Sequence, residues 1–146
     1  MTNPYSEVYL DDAMSNLGEA FEYAIFNCNL TGQEFSGCFV KSRIAEFFGE
    51  GDAKYISGMS GIELARTVLE RCEIRVPETA PDIIGYTPEY WVGWVYAYYQ
   101  WYSGLSFEET FKAIPYERLY QMYWPVHEAD ISKAASIMDE IRKQCG

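Results

Sequence analysis

A chain of 146 residues, 49% of them hydrophobic, is long enough to bury one real core and too apolar to stay disordered. Its 22 acids stand against 11 bases, for a net charge of −11. That balance gains nothing from phosphate contacts, so direct binding to nucleic acid is not expected. No stretch approaches the roughly 18 apolar residues that a membrane span needs, and Met1 to Leu10 lacks the basic and apolar regions of a signal peptide. The reading is a single cytoplasmic domain, residues 1–146, with no membrane partner.

The acids are unevenly placed. Residues 1–40 hold six acids and no base, and residues 76–111 hold five acids and no base; between and after these blocks the charges cancel. Such blocks repel nucleic acid and steer basic partners. Cys28, Cys38, Cys72 and Cys145 form no CxxC pair, and His127 is the single histidine. The cysteines read as four reduced thiols, and neither a metal site nor a cofactor is expected.

Along the chain, helical periodicity recurs. Over residues 9–27, Leu10, Ala13, Met14, Leu17, Phe21, Ala24 and Ile25 recur at spacings of three and four, with Asp11, Asp12, Glu19 and Glu22 largely off that stripe. Thr31 with Glu34 is a capping box that opens a second helix, predicted to run to about Phe48 and to stop at Gly49, Gly51 and Asp52. Ser60 with Glu63 starts a third. Residues 75–86, with Pro77 and Pro81, read as a linker or ordered loop. Thr87-Pro88-Glu89 is a strong helix start, and Gly104 ends that helix. Ser106 with Glu109 opens a short helix that Pro115 interrupts, and a turn or short helix covers Tyr116 to Tyr123. Trp124-Pro125 is expected to break the chain, because the residue before proline avoids the helical region. A last helix spans about 128–143, striped by Ile131, Ala134, Ala135, Met138 and Ile141. No period-two alternation appears. The expectation is an all-α, single compact domain of about seven helices.

The segment from Tyr86 to Tyr102 is dense in tyrosine and tryptophan. A helix apolar all round is central or packed on two sides. Trp91, Trp94, Val95, Tyr98, Trp101 and Tyr102 share a face, of which Trp91, Trp94 and Trp101 read as core; Tyr96 and Tyr99 fall off it and are the candidates for exposure. Base stacking on these rings would need a basic groove, which residues 76–111 do not supply.

No nucleophile motif, phosphate loop, HExxH or EF-hand pattern is present, and His127 reads as a capping or packing residue. An enzyme is not expected.

The stretches Tyr9–Phe21, Tyr55–Ala65, Pro88–Trp94 and His127–Lys133 resemble a family of small acidic proteins from gut Firmicutes and their mobile elements. The resemblance implies antitoxin-like partners of a toxin with an ADP-ribosyltransferase-type fold. It carries over no catalytic residue. The expected function is therefore partner binding, by an antitoxin-like or inhibitor protein that masks another protein. The alternative is an anti-defence or DNA-mimic acidic inhibitor that acts on a basic nucleic-acid-binding protein. The residues expected to meet the partner are Asp11, Asp12, Glu19 and Glu22 for steering, and Tyr96 and Tyr99 for the contact.

Overall fold

A computed structural model describes residues 3–78, 85 and 87–145, without the Cys145 side chain. The described residues form a short 3-10 turn (Glu7–Tyr9) and ten α-helices, with no strand. The helices are α1 (Leu10–Phe26), α2 (Gly32–Lys41), α3 (Ile44–Gly49), α4 (Ala53–Ile56) and α5 (Gly61–Arg71). There follow α6 (Pro88–Ser103), α7 (Phe107–Ala113), α8 (Tyr116–Gln121), α9 (Tyr123–Val126) and α10 (Ile131–Cys145). The all-α class holds; the count of about seven does not. Among the described residues, no helix is long and apolar enough to cross a membrane. Residues 79–84 and Tyr86, most of the expected loop's second half, lie outside the described residues.

Three local events raise the helix number. The expected second helix divides at Arg43, which adopts a left-handed φ of 70°. There the Ser42 hydroxyl donates to the Phe39 carbonyl and accepts from the Ile44 amide, so the break leaves little unpaired. A single turn, α4, forms behind Asp52, whose carboxylate accepts the Lys54 amide at 3.0 Å. Trp124-Pro125 does not break the chain. Pro125 falls in the first turn of α9, where its missing N–H costs no helical hydrogen bond.

The cap signals are observed where the sequence places them. Thr31 and Glu34 close a full capping box, as do Ser106 and Glu109. Ser60 accepts the Glu63 amide, and Thr87 accepts the Tyr90 amide ahead of Pro88. Gly104, at φ 76°, terminates α6 in the left-handed region that glycine occupies without strain. Asp130 accepts the Ser132 amide at 3.0 Å, so α10 begins at Ile131 and not at residue 128.

At the centre, α6 packs on α1, α7, α8, α9 and α10, most extensively on α1. Small residues allow that approach. A Cβ on Gly93 of α6 would lie 2.5 Å from the Leu17 carbonyl oxygen of α1, so only glycine lets the two backbones meet there. Around this pair the core is aromatic. Phe21 meets the Phe35 ring edge-on at 4.9 Å and stacks on Tyr116 at 5.9 Å. Phe39, Phe48 and Phe107 interlock edge-to-face. These contacts contribute beyond the area they bury.

The buried face of α6 is rotated from the one expected, and only Trp91 and Val95 of the expected set are buried. Val92, Val95, Tyr96 and Tyr99 are fully buried, whereas Trp94, Tyr98 and Trp101 are half-buried and Tyr102 is exposed. Hydrophobicity cannot select a face on a helix that is apolar all round. Backbone approach at Gly93 selects it instead.

Candidate functional site: an aromatic groove at the start of α6

The six residues expected to meet a partner do not form one surface. Tyr96 and Tyr99 are both 0% exposed, which overturns their expected exposure. The Tyr96 hydroxyl donates to the Ile114 carbonyl at 2.6 Å, and the Tyr99 hydroxyl donates to Asp139 at 2.6 Å. Burial pushes the Tyr96 phenol well above its ordinary pKa, with a smaller push from Tyr116. Each ring has thus found a polar partner within the core, as buried tyrosines require.

Glu22 is likewise 4% exposed and does not face solvent. Its carboxylate accepts the Gly85 amide at 2.9 Å and the Thr87 hydroxyl at 2.6 Å, just ahead of α6. Glu19, half-buried, accepts the Ile62 amide at 3.0 Å in the first turn of α5. One helix therefore sends two carboxylates to the positive starts of two others. Only Asp11 and Asp12 stay exposed as expected.

A site that the sequence did not single out lies at the N-terminal end of α6. A groove of about 490 Å³ is lined by Ser15 of α1, Thr87, Tyr90, Trp91 and Trp94 at α6, and Tyr123 and His127 at α9. The packing of α9 against α6 assembles it. Trp91 meets Tyr123 edge-on at 5.7 Å, and the His127 ring stacks on Tyr123 at 4.0 Å. Beside it, Trp124 is 59% exposed and stands edge-on to both Tyr120 and Tyr123. The local signal was present in Tyr123, Trp124 and His127, but their neighbours on α6 are some 30 residues away in sequence.

His127 is oriented by its own helical turn. Its Nδ1 lies 2.7 Å from the Tyr123 carbonyl, which can only accept, so Nδ1 carries the proton. In the neutral ring Nε2 is then an acceptor. Glu128 approaches that same nitrogen, at 3.8 Å, and not Nδ1. In a catalytic triad the orienting acid holds one ring nitrogen while the other faces the nucleophile; this arrangement differs. No hydrogen bond joins His127 to Ser15 among the described residues. The groove offers flat aromatic walls and a ring-nitrogen acceptor, which suits capture of an aromatic or cationic side chain. Asp11 and Asp12 precede Ser15 by about one helical turn, so exposed acids border the groove.

Cys28, Cys38 and Cys72 are free thiols; Cys145's side chain lies outside the described residues. Among the described residues, no group of three or more His, Cys, Asp or Glu side chains is placed to hold a metal ion. No family model, curated protein or solved structure matches the chain.

Proposed function

We propose that this chain is a partner-binding protein that masks a basic surface of another protein, as the family resemblance implies for an antitoxin-like inhibitor. The observation that carries the reading is the aromatic groove with exposed Trp124 at its edge. Exposed tryptophan beside a tryptophan- and tyrosine-lined groove is the composition of an interface hot spot. The net charge of −11 sets the sign of the partner. The DNA-mimic alternative draws its support from the acids alone. It is weaker because Glu19 and Glu22 are spent on helix starts, which thins the acidic N-terminal surface.

The test is co-expression with each product of the flanking genes. One such product should arrest growth alone and be neutralised by this chain. Trp94→Ala with Trp124→Ala should abolish neutralisation while the protein melts as a folded domain. If no flanking product is toxic, and no basic protein binds the purified chain at micromolar concentration, the masking role is wrong. If Asp11→Asn with Asp12→Asn abolishes binding and the tryptophan pair does not, the acidic-mimic alternative takes its place.

A further inference from the structure

A second cleft, of about 560 Å³, opens at the C-terminal end of α6. Gln100, only 3% exposed, lies at its floor. The Gln100 amide is held in one orientation. Its Nε2 donates to the Gly49 carbonyl at 3.2 Å and to the Leu105 carbonyl at 3.0 Å. A flipped amide would set its oxygen against both carbonyls. Gln100 Oε1 is therefore fixed as an acceptor, and no donor among the described residues reaches it. A buried acceptor without a donor is costly, so the site favours an incoming N–H.

The surroundings specify which kind of N–H. Apolar walls come from Val40, Leu105 and Phe107, and no Lys or Arg lines the cleft among the described residues. Four glutamates line it, of which two are engaged: Glu46 pairs with Arg43 at 3.1 Å, and Glu109 accepts the Ser106 amide at 3.0 Å. Glu50 and Glu108 have no such partner among the described residues and remain exposed. A guanidinium fits this set better than an ammonium. It is planar and weakly hydrated, tolerates apolar walls, and spreads several N–H donors in a rigid fork. One N–H can meet the floor acceptor while others face the rim carboxylates.

We propose that this cleft receives an arginine side chain of the partner, its guanidinium hydrogen-bonded to Gln100 Oε1 and flanked by Glu50 and Glu108. The source of the arginine rests on the partner-binding reading; the chemistry of the cleft does not.

The test is titration of ¹⁵N-labelled protein with argininamide, lysinamide and the neutral isostere citrullinamide at low salt. Argininamide should give a saturable shift of the Gln100 side-chain amide and of the Gly49 and Leu105 backbone amides. Lysinamide should bind several-fold more weakly, and so should citrullinamide, which keeps N–H donors for Gln100 but has no charge for the rim glutamates. Glu50→Gln with Glu108→Gln should weaken argininamide by about fivefold, the scale of two partly exposed charge pairs, with an otherwise unchanged spectrum. Absence of a saturable shift at Gln100 overturns the proposal, as does an equal response to citrullinamide or lysinamide. A partner that binds the Glu50→Gln, Glu108→Gln variant as tightly as wild type overturns the cleft's role and leaves partner binding intact. Argininamide binding in a chain that masks no protein supports the cleft and removes the partner reading.

Discussion

The Glu22 carboxylate on α1 accepts the Thr87 hydroxyl at 2.6 Å, while Thr87 itself caps α6 by accepting the Tyr90 amide at 3.1 Å. Two residues 65 apart in sequence thus form one relay from the first helix to the start of the central one. It converts an acid that sequence spacing assigns to a solvent face into part of the fold.

Glu22→Ala should therefore destabilise the protein by about 2–3 kcal/mol, as expected for buried hydrogen bonds to a charged group. Asp11→Asn with Asp12→Asn should stay within about 1 kcal/mol of wild type, because both side chains are exposed and only the dipole of the first turn is affected. Urea midpoints on the three proteins decide the point. Equal midpoints would mean that the Glu22 relay contributes nothing.

Gly93→Ala should lower stability by about 1–3 kcal/mol, despite alanine's better helix propensity. The new Cβ would lie 2.5 Å from the Leu17 carbonyl oxygen and 2.9 Å from the Gly18 Cα, and neither is a flexible side-chain end. Thermal unfolding measures it. A rise in melting temperature would show that α1 and α6 separate at little cost.

Tyr96→Ala should unfold or severely destabilise the domain, by about 3–5 kcal/mol, since it removes a large buried ring. Tyr96→Phe should cost about 1 kcal/mol by leaving the Ile114 carbonyl without its donor. Far-ultraviolet circular dichroism in urea separates the two. An effect of neither substitution would return Tyr96 to the list of contact residues.

The same tyrosine makes stability fall at high pH. The unfolded phenol ionises near pH 10, and burial raises the folded value well above that. Above pH 10 the unfolded state therefore binds fewer protons than the folded one. The contribution of Tyr96 is complete below about pH 10 and is lost as pH rises toward the folded value, by about 1.4 kcal/mol per pH unit. Urea midpoints at pH 9, 10 and 11 should decline, and Tyr96→Phe should make that decline shallower, leaving the part due to Tyr5, Tyr99 and Tyr116, whose phenol pKa values burial also raises.

Cys38 should be a slow thiol. Burial and the neighbouring Cys72 raise its pKa to about 11. At pH 8 the thiolate is on the order of one part in a thousand, so alkylation should run roughly a hundredfold slower than in the unfolded chain. Peptide mass spectrometry after timed iodoacetamide treatment, with and without denaturant, reads the ratio. Equal rates would mean that the α2–α5 contact does not shield this sulfur.

Features decided within one helical turn could be read directly. The caps at Thr31, Ser60, Thr87 and Ser106, and the stop at Gly104, were legible because each joins residues three or four apart. The split at Arg43 was not. Neither glycine nor proline marks it, and its hydrogen bonds run through the Ser42 hydroxyl, with Arg71 of α5 reaching the Ser42 carbonyl at 3.3 Å. The expected break at Trp124-Pro125 is absent: Pro125 lies in the first turn of α9, where its missing N–H costs no hydrogen bond, and Trp124 takes the helical conformation that a following proline disfavours.

By itself, then, the sequence determined the helical class, the main caps and the acidic balance, since these follow from local periodicity, nearby hydrogen bonds and composition. Tertiary structure decided which face of α6 turns inward, where Glu19 and Glu22 point, and that Trp91, Trp94, Tyr123 and His127 share a groove. The physical reason is that an all-round apolar helix has no hydrophobic preference among its faces. The choice falls to backbone approach at Gly93 and to donors on distant helices, and neither has a signature within one turn of the chain.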